Sequence, residues 1–236
     1  MPQLLSSKNL LLSTRPLTVG VLADEAALRR FVAMTPQERQ STCDVAEVRL
    51  DQLPFSSDEL RGLLEGWDTP ILLTARHPLE GGFAPTDPVQ RMAMIEPLLD
   101  RAALLDLEIR SAAEMQPLIQ KARAQGVPVI GSFHDFHTTP PDGVLEGALG
   151  FAQTAGLDAA KFATFVNSHD DLVRLINLTS GQHRLRLAVM GMGPWGRVSR
   201  LVLAKCGSLL NYGYVGESNA PGQWPAARLK ALLSEI

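Results

Sequence analysis

The stretch Ala159-Ala160-Lys161-Phe162-Ala163-Thr164-Phe165-Val166 is short and apolar and follows a glycine-containing turn, which predicts a buried β-strand. Lys161 lies in the middle of this strand. Burial disfavours the charged ammonium and leaves some free amine, which can attack a ketone and form a Schiff base. The same position also suits a structural lysine that pairs with a carboxylate inside the core. This strand alone does not decide between the two interpretations.

Similar apolar stretches recur along the whole chain, and a helical pattern follows each one. The predicted strands cover residues 17–22, 44–51, 70–76, 104–109, 128–134, 159–166, 184–190 and 209–215. The predicted helices cover residues 24–34, 57–65, 88–102, 111–125, 142–155, 168–178, 196–206 and 225–235. This alternation predicts a parallel sheet, and eight units in 236 residues favour an α/β fold, a single-domain (β/α)8 TIM barrel. We expect residues 1–16 to form an N-terminal arm and residues 17–236 to form the catalytic barrel.

Composition restricts the possible partners. Hydrophobic residues make up 45% of the chain and charged residues 20%, so a large core is expected. A net charge of -3 without a basic stripe argues against nucleic acid, and short, broken leucine runs argue against a signal peptide or a membrane span. Cys43 and Cys206 are far apart and fit a reducing cytoplasm better than a disulfide. The histidines and cysteines lack metal-ligand spacing, so no metal site is expected.

In a barrel of this kind the active site lies at the carboxyl ends of the strands, so polar residues there are candidates. Glu47 and Arg49 are two residues apart and should face the barrel interior together, either holding a ligand or forming a structural ion pair. Arg76 ends the third strand and could bind a carboxylate or hydroxyl group, or lie exposed in the loop. Glu108 and Arg110 repeat the acid–base spacing on strand four, where ligand contact and structural pairing both remain open.

His134 ends the fifth predicted strand, which should be the neighbour of the lysine strand. A histidine there can move protons near neutral pH, and an amine nucleophile beside it is the minimum requirement for Schiff-base chemistry. A capping or core histidine is the alternative. His137, His169 and His183 fall in loops or at helix ends and are expected at the surface.

The segment Gly191-Met192-Gly193-Pro194-Trp195-Gly196 matches the GxGxxG pattern of dinucleotide-binding folds. It lies in the seventh of eight repeats and contains a proline, whereas the dinucleotide fingerprint opens its domain. We therefore favour glycines that allow a tight turn, with an anion received at the helix N-terminus near Arg200. The polar loop at 217–223 is long enough to act as a lid over the barrel mouth.

Taken together, these residues resemble the type I 3-dehydroquinate dehydratase (3-dehydroquinase) family over nearly the whole chain. The matching segments are Glu47-Val48-Arg49-Leu50-Asp51, Thr74-Ala75-Arg76 with Glu80-Gly81-Gly82, His134-Asp135-Phe136-His137, Lys161, Met192 with Ser199-Arg200, and Ala220-Pro221-Gly222-Gln223. Each segment is a weak signal, but their joint order and spacing are specific. The resemblance implies a TIM barrel, usually a homodimer, that acts on a small molecule in the shikimate pathway.

The resemblance also implies roles for individual residues. Lys161 would form an imine with the ring ketone of 3-dehydroquinate, His134 would be the general acid–base, and Glu80 would orient and polarise His134. Binding residues would be Glu47, Arg49 and Arg76 around the ring, Met192, and Arg200, Asn219 and Gln223 at the carboxylate end and lid. The lysine supplies the electron sink, so no cofactor is expected. Asn219 departs from the serine that is usual in the family. Asparagine can still donate and accept hydrogen bonds, so we expect substrate binding to survive with altered affinity.

Two other functions remain compatible with the residues. A class I aldolase-type barrel would explain Lys161 but not the Arg200 and Gln223 lid. A non-catalytic ligand-binding barrel is the second alternative, and the departure at Asn219 is its main support.

Overall fold

The computed structural model describes residues 10–218 and 222–236, and its centre is a sheet of eight parallel strands. These are β1 (Leu17–Leu22), β2 (Val45–Arg49), β3 (Ile71–Thr74), β4 (Leu104–Glu108), β5 (Val129–Asp135), β6 (Ala159–Phe165), β7 (Arg186–Met192) and β8 (Leu210–Tyr214). Their order is β7-β6-β5-β4-β3-β2-β1-β8. Leu209, just before β8, donates a backbone hydrogen bond of 2.8 Å to Leu187 in β7, so the barrel is nearly closed. The predicted (β/α)8 fold is confirmed.

Helices surround the strands. They are α1 (Glu25–Ala33), α2 (Pro36–Thr42), α3 (Ser57–Leu63), α4 (Pro88–Ile95), α5 (Gln116–Ala124), α6 (Asp142–Thr154), α7 (His169–Ser180), α8 (Gly196–Lys205) and α9 (Ala226–Ser234). Helix α2 was not predicted, although Thr35 and Glu38 form a reciprocal capping box at its start. The helix expected over 88–102 ends at Ile95 and continues as a 3₁₀ segment to Arg101, because Pro97 interrupts the α-helical hydrogen bonds.

The core has two layers that follow from the alternation of side chains along each strand. Leu73, Leu107 and Phe162 pack outward against the helices, whereas Val19, Leu72 and Ile130 fill the barrel interior. Such interior layers of branched side chains are typical of the fold.

The segment just before β1 contributes to the interior as well. Leu10 and Leu11 are buried and join the interior cluster, whereas Leu12 is 74% exposed. The exposed Arg15 then pairs with Asp44 at 2.8 Å. The described part of the N-terminal arm therefore packs against the amino-terminal end of the barrel, opposite the strand ends where the polar residues collect.

Register places the candidate residues on adjoining strands. In the β5–β6 pairing, Ser132 lies beside Lys161 and His134 beside Ala163. Because residues two apart in a strand point to the same face, His134 shares the face of Ser132 and Lys161 and lies two residues nearer the carboxyl end of the barrel. Across residues 10–218 and 222–236, none of the helices has the length and apolar character needed to cross a bilayer.

Candidate active site

Lys161 lies at the centre of the candidate site. It is only 4% exposed, and its Nζ donates a 3.1 Å hydrogen bond to Oδ2 of Asp106 on β4. The same Nζ lies 4.1 Å from the centre of the Tyr212 ring on β8. Both interpretations of Lys161 therefore hold in part, because it has a carboxylate partner and also lines a pocket.

Asp106 is fully buried and is held by two further side chains. Its Oδ1 accepts hydrogen bonds from Arg76 Nη2 at 2.8 Å and from Ser132 Oγ at 2.7 Å. Burial would raise the pKa of Asp106, but the charges of Arg76 and Lys161 and the hydrogen bond from Ser132 outweigh it and lower that pKa to about 2. The carboxylate is therefore ionised at every physiological pH.

His134 is paired with Glu80, which ends a 3₁₀ turn after β3. Glu80 Oε2 is 2.9 Å from His134 Nδ1 and also accepts a 3.0 Å hydrogen bond from the His134 backbone N–H. Burial and the nearby cations Arg76, Lys161 and Arg49 lower the pKa of His134 well below its usual value. The imidazole is therefore neutral at pH 7. With Nδ1 donating its hydrogen to Glu80, Nε2 is left as a free base.

Glu80 has a shifted pKa of its own. Burial raises the pKa of this carboxyl to about 7, with a further contribution from the charge of Glu108 that the positive charge of Arg76 opposes. Glu80 therefore changes charge near neutral pH, directly beside the imidazole. This sensitivity follows from its position and could not be predicted from sequence.

The two charged residues of β2 both line the pocket but do not pair with each other. Glu47 accepts a 2.9 Å hydrogen bond from Thr74 Oγ1, and Arg49 forms a two-point ion pair with Asp51, with a shortest contact of 2.8 Å. The alternative interpretation, in which Glu47 and Arg49 form a structural ion pair with each other, is therefore wrong. Asp51 also accepts hydrogen bonds from the backbone of Arg76 and Phe83, which anchors the loop after β3.

Arg76 is buried rather than exposed in a loop. Its guanidinium donates to Glu108 at 2.8 Å, to Ser132 at 2.5 Å and to Asp106. Glu108 is also paired with the buried Arg91 of α4, which answers the open question on strand four in favour of structural pairing. Arg110 is exposed and takes no part in this network. Arg76 thus connects the lysine–carboxylate pair to a buried ionic network while still lining the pocket.

Arg200 is 1% exposed and lines the pocket from the side of α8. Its Nε and Nη1 donate to backbone carbonyls of Gly191, Gly196, Tyr212 and Gly222. Within the described ranges no carboxylate lies within salt-bridge distance of Arg200, and burial lowers its pKa to about 10. A cation that stays charged at pH 7 without a counter-ion is suited to hold an anionic group.

The glycine-rich segment after β7 serves close packing. Gly193 has a φ of 76°, in the region that favours glycine, and a Cβ on Gly196 would lie 2.7 Å from the carbonyl oxygen of Gly222. The absence of a side chain on Gly196 therefore lets the start of α8 pack against Gly222. This close approach allows Arg200 to donate hydrogen bonds to the carbonyls of both Gly196 and Gly222. This supports the tight-turn interpretation of the GxGxxG match.

One pocket at the carboxyl ends of the strands brings the candidates together. The site residues predicted from sequence that line it are Glu47, Arg49, Arg76, Glu80, His134, Lys161, Met192, Arg200 and Gln223. Asn219 lies outside the described residues. Two lining residues, Tyr212 and Gln223, each carry a buried polar atom (Oη and Oε1) without a hydrogen-bond partner in the described structure. Such atoms are rare in folded proteins and here favour a polar ligand. No group of three or more His, Cys, Asp or Glu side chains among residues 10–218 and 222–236 has the arrangement of a metal site.

Asp106, Ser132 and Tyr212 belong to the site but were not predicted from the sequence. Asp106 lies two residues before Glu108 in an apolar strand, so alternation alone could have placed both on one face. Tyr212 shares the interior face of β8 with Leu210, which is also a signal of alternation. Ser132 gives no signal, because a serine in a strand is ordinary.

The chain matches a known protein family over most of its length. A family model described as type I 3-dehydroquinase matches residues 27–236. The chain is 32% identical over 218 residues to the 3-dehydroquinate dehydratase of Thermodesulfovibrio yellowstonii, covering 91% of this chain and 92% of that one. It is 33% identical over 208 residues to the catabolic 3-dehydroquinate dehydratase of Acinetobacter baylyi, covering 82% of this chain and 76% of that one.

Solved structures match over a similar length. The crystal structure of 3-dehydroquinate dehydratase from Geobacillus kaustophilus has a TM-score of 0.83 at 25% identity, and the match covers 94% of this chain and 91% of that chain. The segment matched by the family model, residues 27–236, includes every site residue that was predicted from the sequence.

Proposed function

The chain belongs to the type I 3-dehydroquinase family, and on that basis we propose that it dehydrates 3-dehydroquinate to 3-dehydroshikimate through a Schiff base on Lys161. It is therefore a lyase of the hydro-lyase class. One observation supports this mechanism: the buried Lys161 and the neutral His134 line the same pocket. Each is hydrogen-bonded to a carboxylate, Lys161 to Asp106 and His134 to Glu80.

Lys161 is the proposed nucleophile. Its ammonium first releases a proton to water, and the resulting amine adds to the ring ketone. The ketone oxygen takes up a proton again and leaves as water, which gives a protonated imine with the same charge as the starting ammonium. That cation withdraws electrons from the neighbouring carbon and makes the hydrogen on it more acidic. The lysine thus provides the electron sink within the chain itself.

His134 is the proposed general acid–base. Its Nε2 removes the acidified proton, which gives an enamine and an imidazolium. The enamine then expels the β-hydroxyl group, which takes the proton back from His134 and leaves as water. A second water hydrolyses the imine, which releases the enone product and restores the Lys161 amine. A proton transfer of this kind is worth about 10²–10⁴-fold in rate.

Glu80 is proposed as a positioning residue for that step. Its hydrogen bond to Nδ1 holds the imidazole in the tautomer whose Nε2 is free, and its negative charge stabilises the imidazolium that forms. The backbone hydrogen bond from His134 to the same oxygen fixes the carboxylate in place.

The remaining pocket residues are proposed to bind the substrate. The guanidinium of Arg200, which has no carboxylate partner among residues 10–218 and 222–236, would hold the carboxylate end together with Gln223. The family resemblance adds Asn219 to this group. Glu47, Arg49 and Arg76 would contact ring hydroxyls and the ketone side, and Met192 would pack against the ring. Arg76 already donates three hydrogen bonds to protein groups, so it can offer only its remaining N–H groups.

A homodimer, a cytoplasmic location and a role in the shikimate pathway to aromatic amino acids are all expected from the family. The relative from Acinetobacter baylyi is called catabolic. Deletion of the gene should abolish growth without aromatic amino acids if the role is biosynthetic, and should leave that growth intact if the role is degradative.

A product assay tests the function directly. Purified protein incubated with 3-dehydroquinate should produce an ultraviolet absorbance, because the product is an enone and the substrate is not. An aldolase-type barrel would instead cleave a carbon–carbon bond, and a binding barrel would retain 3-dehydroquinate unchanged. Binding without any absorbance change would contradict the dehydratase assignment.

The pH dependence of turnover tests the role of Glu80. Because the pKa of Glu80 is about 7 and the ionised form accepts Nδ1–H, turnover should rise as pH increases through that value. Glu80→Gln should lower turnover and remove this rising limb, whereas Glu114→Gln at an exposed position should leave it intact.

The stability of the folded protein gives a second readout for Glu80. The folded-state pKa lies above the ordinary value of 4.5, so the folded state keeps a proton that the unfolded chain releases. The contribution of Glu80 to the free energy of unfolding should therefore fall as pH rises from about 4.5 to about 7. In the turnover measurement, a rise of turnover with pH that persists unchanged in Glu80→Gln would mean that another group controls it.

A further inference from the structure

Lys161 Nζ lies between two groups that both favour a positive charge. Asp106 Oδ2 is 3.1 Å away on one side, and the face of the Tyr212 ring is 4.1 Å away, measured to its centre. We propose that Asp106 and the Tyr212 ring are catalytic groups that hold positive charge at this nitrogen, so that a Schiff base formed there stays protonated. This inference rests on the proposed function, since it assigns residues to the imine step.

Asp106 is fixed so that it cannot turn away from Lys161. Arg76 and Ser132 both bind its Oδ1, which leaves Oδ2 directed at Nζ. The carboxylate is fully buried, so no bulk water weakens its attraction for the cation. The low pKa of Asp106 agrees with a permanent negative charge.

Tyr212 supplies the other wall. The negative face of an aromatic ring attracts a cation within about 6 Å of its centre, and the attraction is stronger where water is excluded. Burial raises the pKa of the Tyr212 phenol well above its usual value, so the ring remains neutral. The phenol oxygen finds no hydrogen-bond partner in the described part of the chain, which separates the role of the ring from that of the hydroxyl.

The chemistry requires such a pair of groups. When an ammonium condenses with a ketone, R–NH3⁺ and O=C give R–NH⁺=C and one water, so the positive charge on nitrogen is conserved. An imine nitrogen is a weaker base than an amine and would lose its proton more readily in a buried site. Only the protonated form draws electrons strongly from the adjacent carbon. A fixed carboxylate and a ring face at this nitrogen would keep the electron sink active.

Other titratable or charged groups surround this position and affect any pH experiment. Those that line the pocket or its floor are Asp106 on β4, Tyr212 on β8, His134 on β5, Glu47 and Arg49 on β2, and Arg76 after β3. Glu80 and Arg200 also line the pocket and complete the set. Arg76 and Arg49 oppose a further cation, which makes the carboxylate and the ring face more important.

Chemical labelling of the unliganded protein tests the inference without substrate. The rate at which acetic anhydride acetylates Lys161, followed by mass spectrometry of its peptide, reports the fraction of free amine at each pH. Asp106→Asn should move the half-maximal rate to lower pH by about one to three units. Tyr212→Leu should move it less in the same direction, and Tyr212→Phe, which keeps the ring face, should restore the wild-type profile.

Borohydride trapping with 3-dehydroquinate provides the second readout, since borohydride reduces the protonated imine. Trapping should persist to alkaline pH in the wild type and decline at lower pH in Asp106→Asn and Tyr212→Leu. If Asp106→Asn does not fold, Ser132→Ala removes one of the two bonds to Oδ1 and should give a smaller shift.

Failure of this inference differs from failure of the proposed function. Labelling profiles that coincide for wild type, Asp106→Asn and Ser132→Ala would overturn the role of the carboxylate. Coincident profiles for Tyr212→Leu and Tyr212→Phe would overturn the role of the ring. Shifted labelling together with no trapping in any protein, wild type included, would instead reject the Schiff-base function and leave the charge assignment standing.

Discussion

Lys161→Ala is expected to lower turnover of 3-dehydroquinate by up to about 10⁶-fold, the order seen when a covalent nucleophile is removed. The physical reason is that the pocket then has no group that can convert the ketone into an electron sink. The general base His134 would face a hydrogen that is hardly acidic. Borohydride added with substrate should attach a ligand-sized mass to the Lys161 peptide of the wild type and to no peptide of the variant.

A matched control separates chemistry from general effects. Lys121 is an exposed lysine of α5 that pairs with Glu96, and Lys121→Ala should keep both turnover and the covalent label. The Lys161 variant leaves Asp106 with Arg76 and Ser132 as partners, so thermal unfolding should still be cooperative. An unmodified Lys161 peptide after complete inactivation of the wild type would reject the nucleophile role.

The sequence was sufficient for the architecture because strand and helix periods alternate regularly over the whole chain. What periodicity could not supply were the local ends of elements. Helix α2 is only seven residues long and has no apolar period, so its capping box and Pro36 at its first position were its signals. Pro97 was visible in the sequence, but its effect depends on whether the chain continues as a 3₁₀ segment, as it does here.

The candidate site was predictable to the extent that one residue could be judged from its own strand. Lys161, His134 and Arg76 end or interrupt apolar strands, and each lines the pocket. Which carboxylate meets which cation depends on side chains from several strands. Arg76 reaches Asp106 and Glu108 on β4 and Ser132 on β5, and no pattern within a single strand encodes those contacts.

The surroundings of Lys161 show the same dependence on several strands. From sequence, Lys161 was either a buried free amine or a lysine paired with a carboxylate, and no strand pattern named that carboxylate. In the fold it is Asp106, whose Oδ2 lies 3.1 Å from Nζ. The charges around this nitrogen are thus set by several strands together rather than by the lysine strand alone.

His134→Ala is expected to lower turnover by about 10²–10⁴-fold while leaving imine formation intact. The reason is that His134 acts after the imine has formed, on the hydrogen next to it, whereas Lys161 attacks the carbonyl carbon and Asp106 acts at the Lys161 nitrogen. Borohydride with 3-dehydroquinate should therefore still label Lys161 in this variant, even though product absorbance does not develop. His169→Ala, at an exposed position at the start of α7, is the matched control and should retain turnover.

The two readouts of His134→Ala locate the histidine in the reaction sequence. Loss of both turnover and labelling would place His134 in imine formation itself, which would contradict the division of labour proposed here. Near-normal turnover would reject it as the proton shuttle. Because Glu80 acts on the substrate only through His134, Glu80→Gln in the His134→Ala background should cost almost nothing more, although each single change lowers turnover. Additive losses in the double variant would mean that Glu80 contacts the reacting molecule directly.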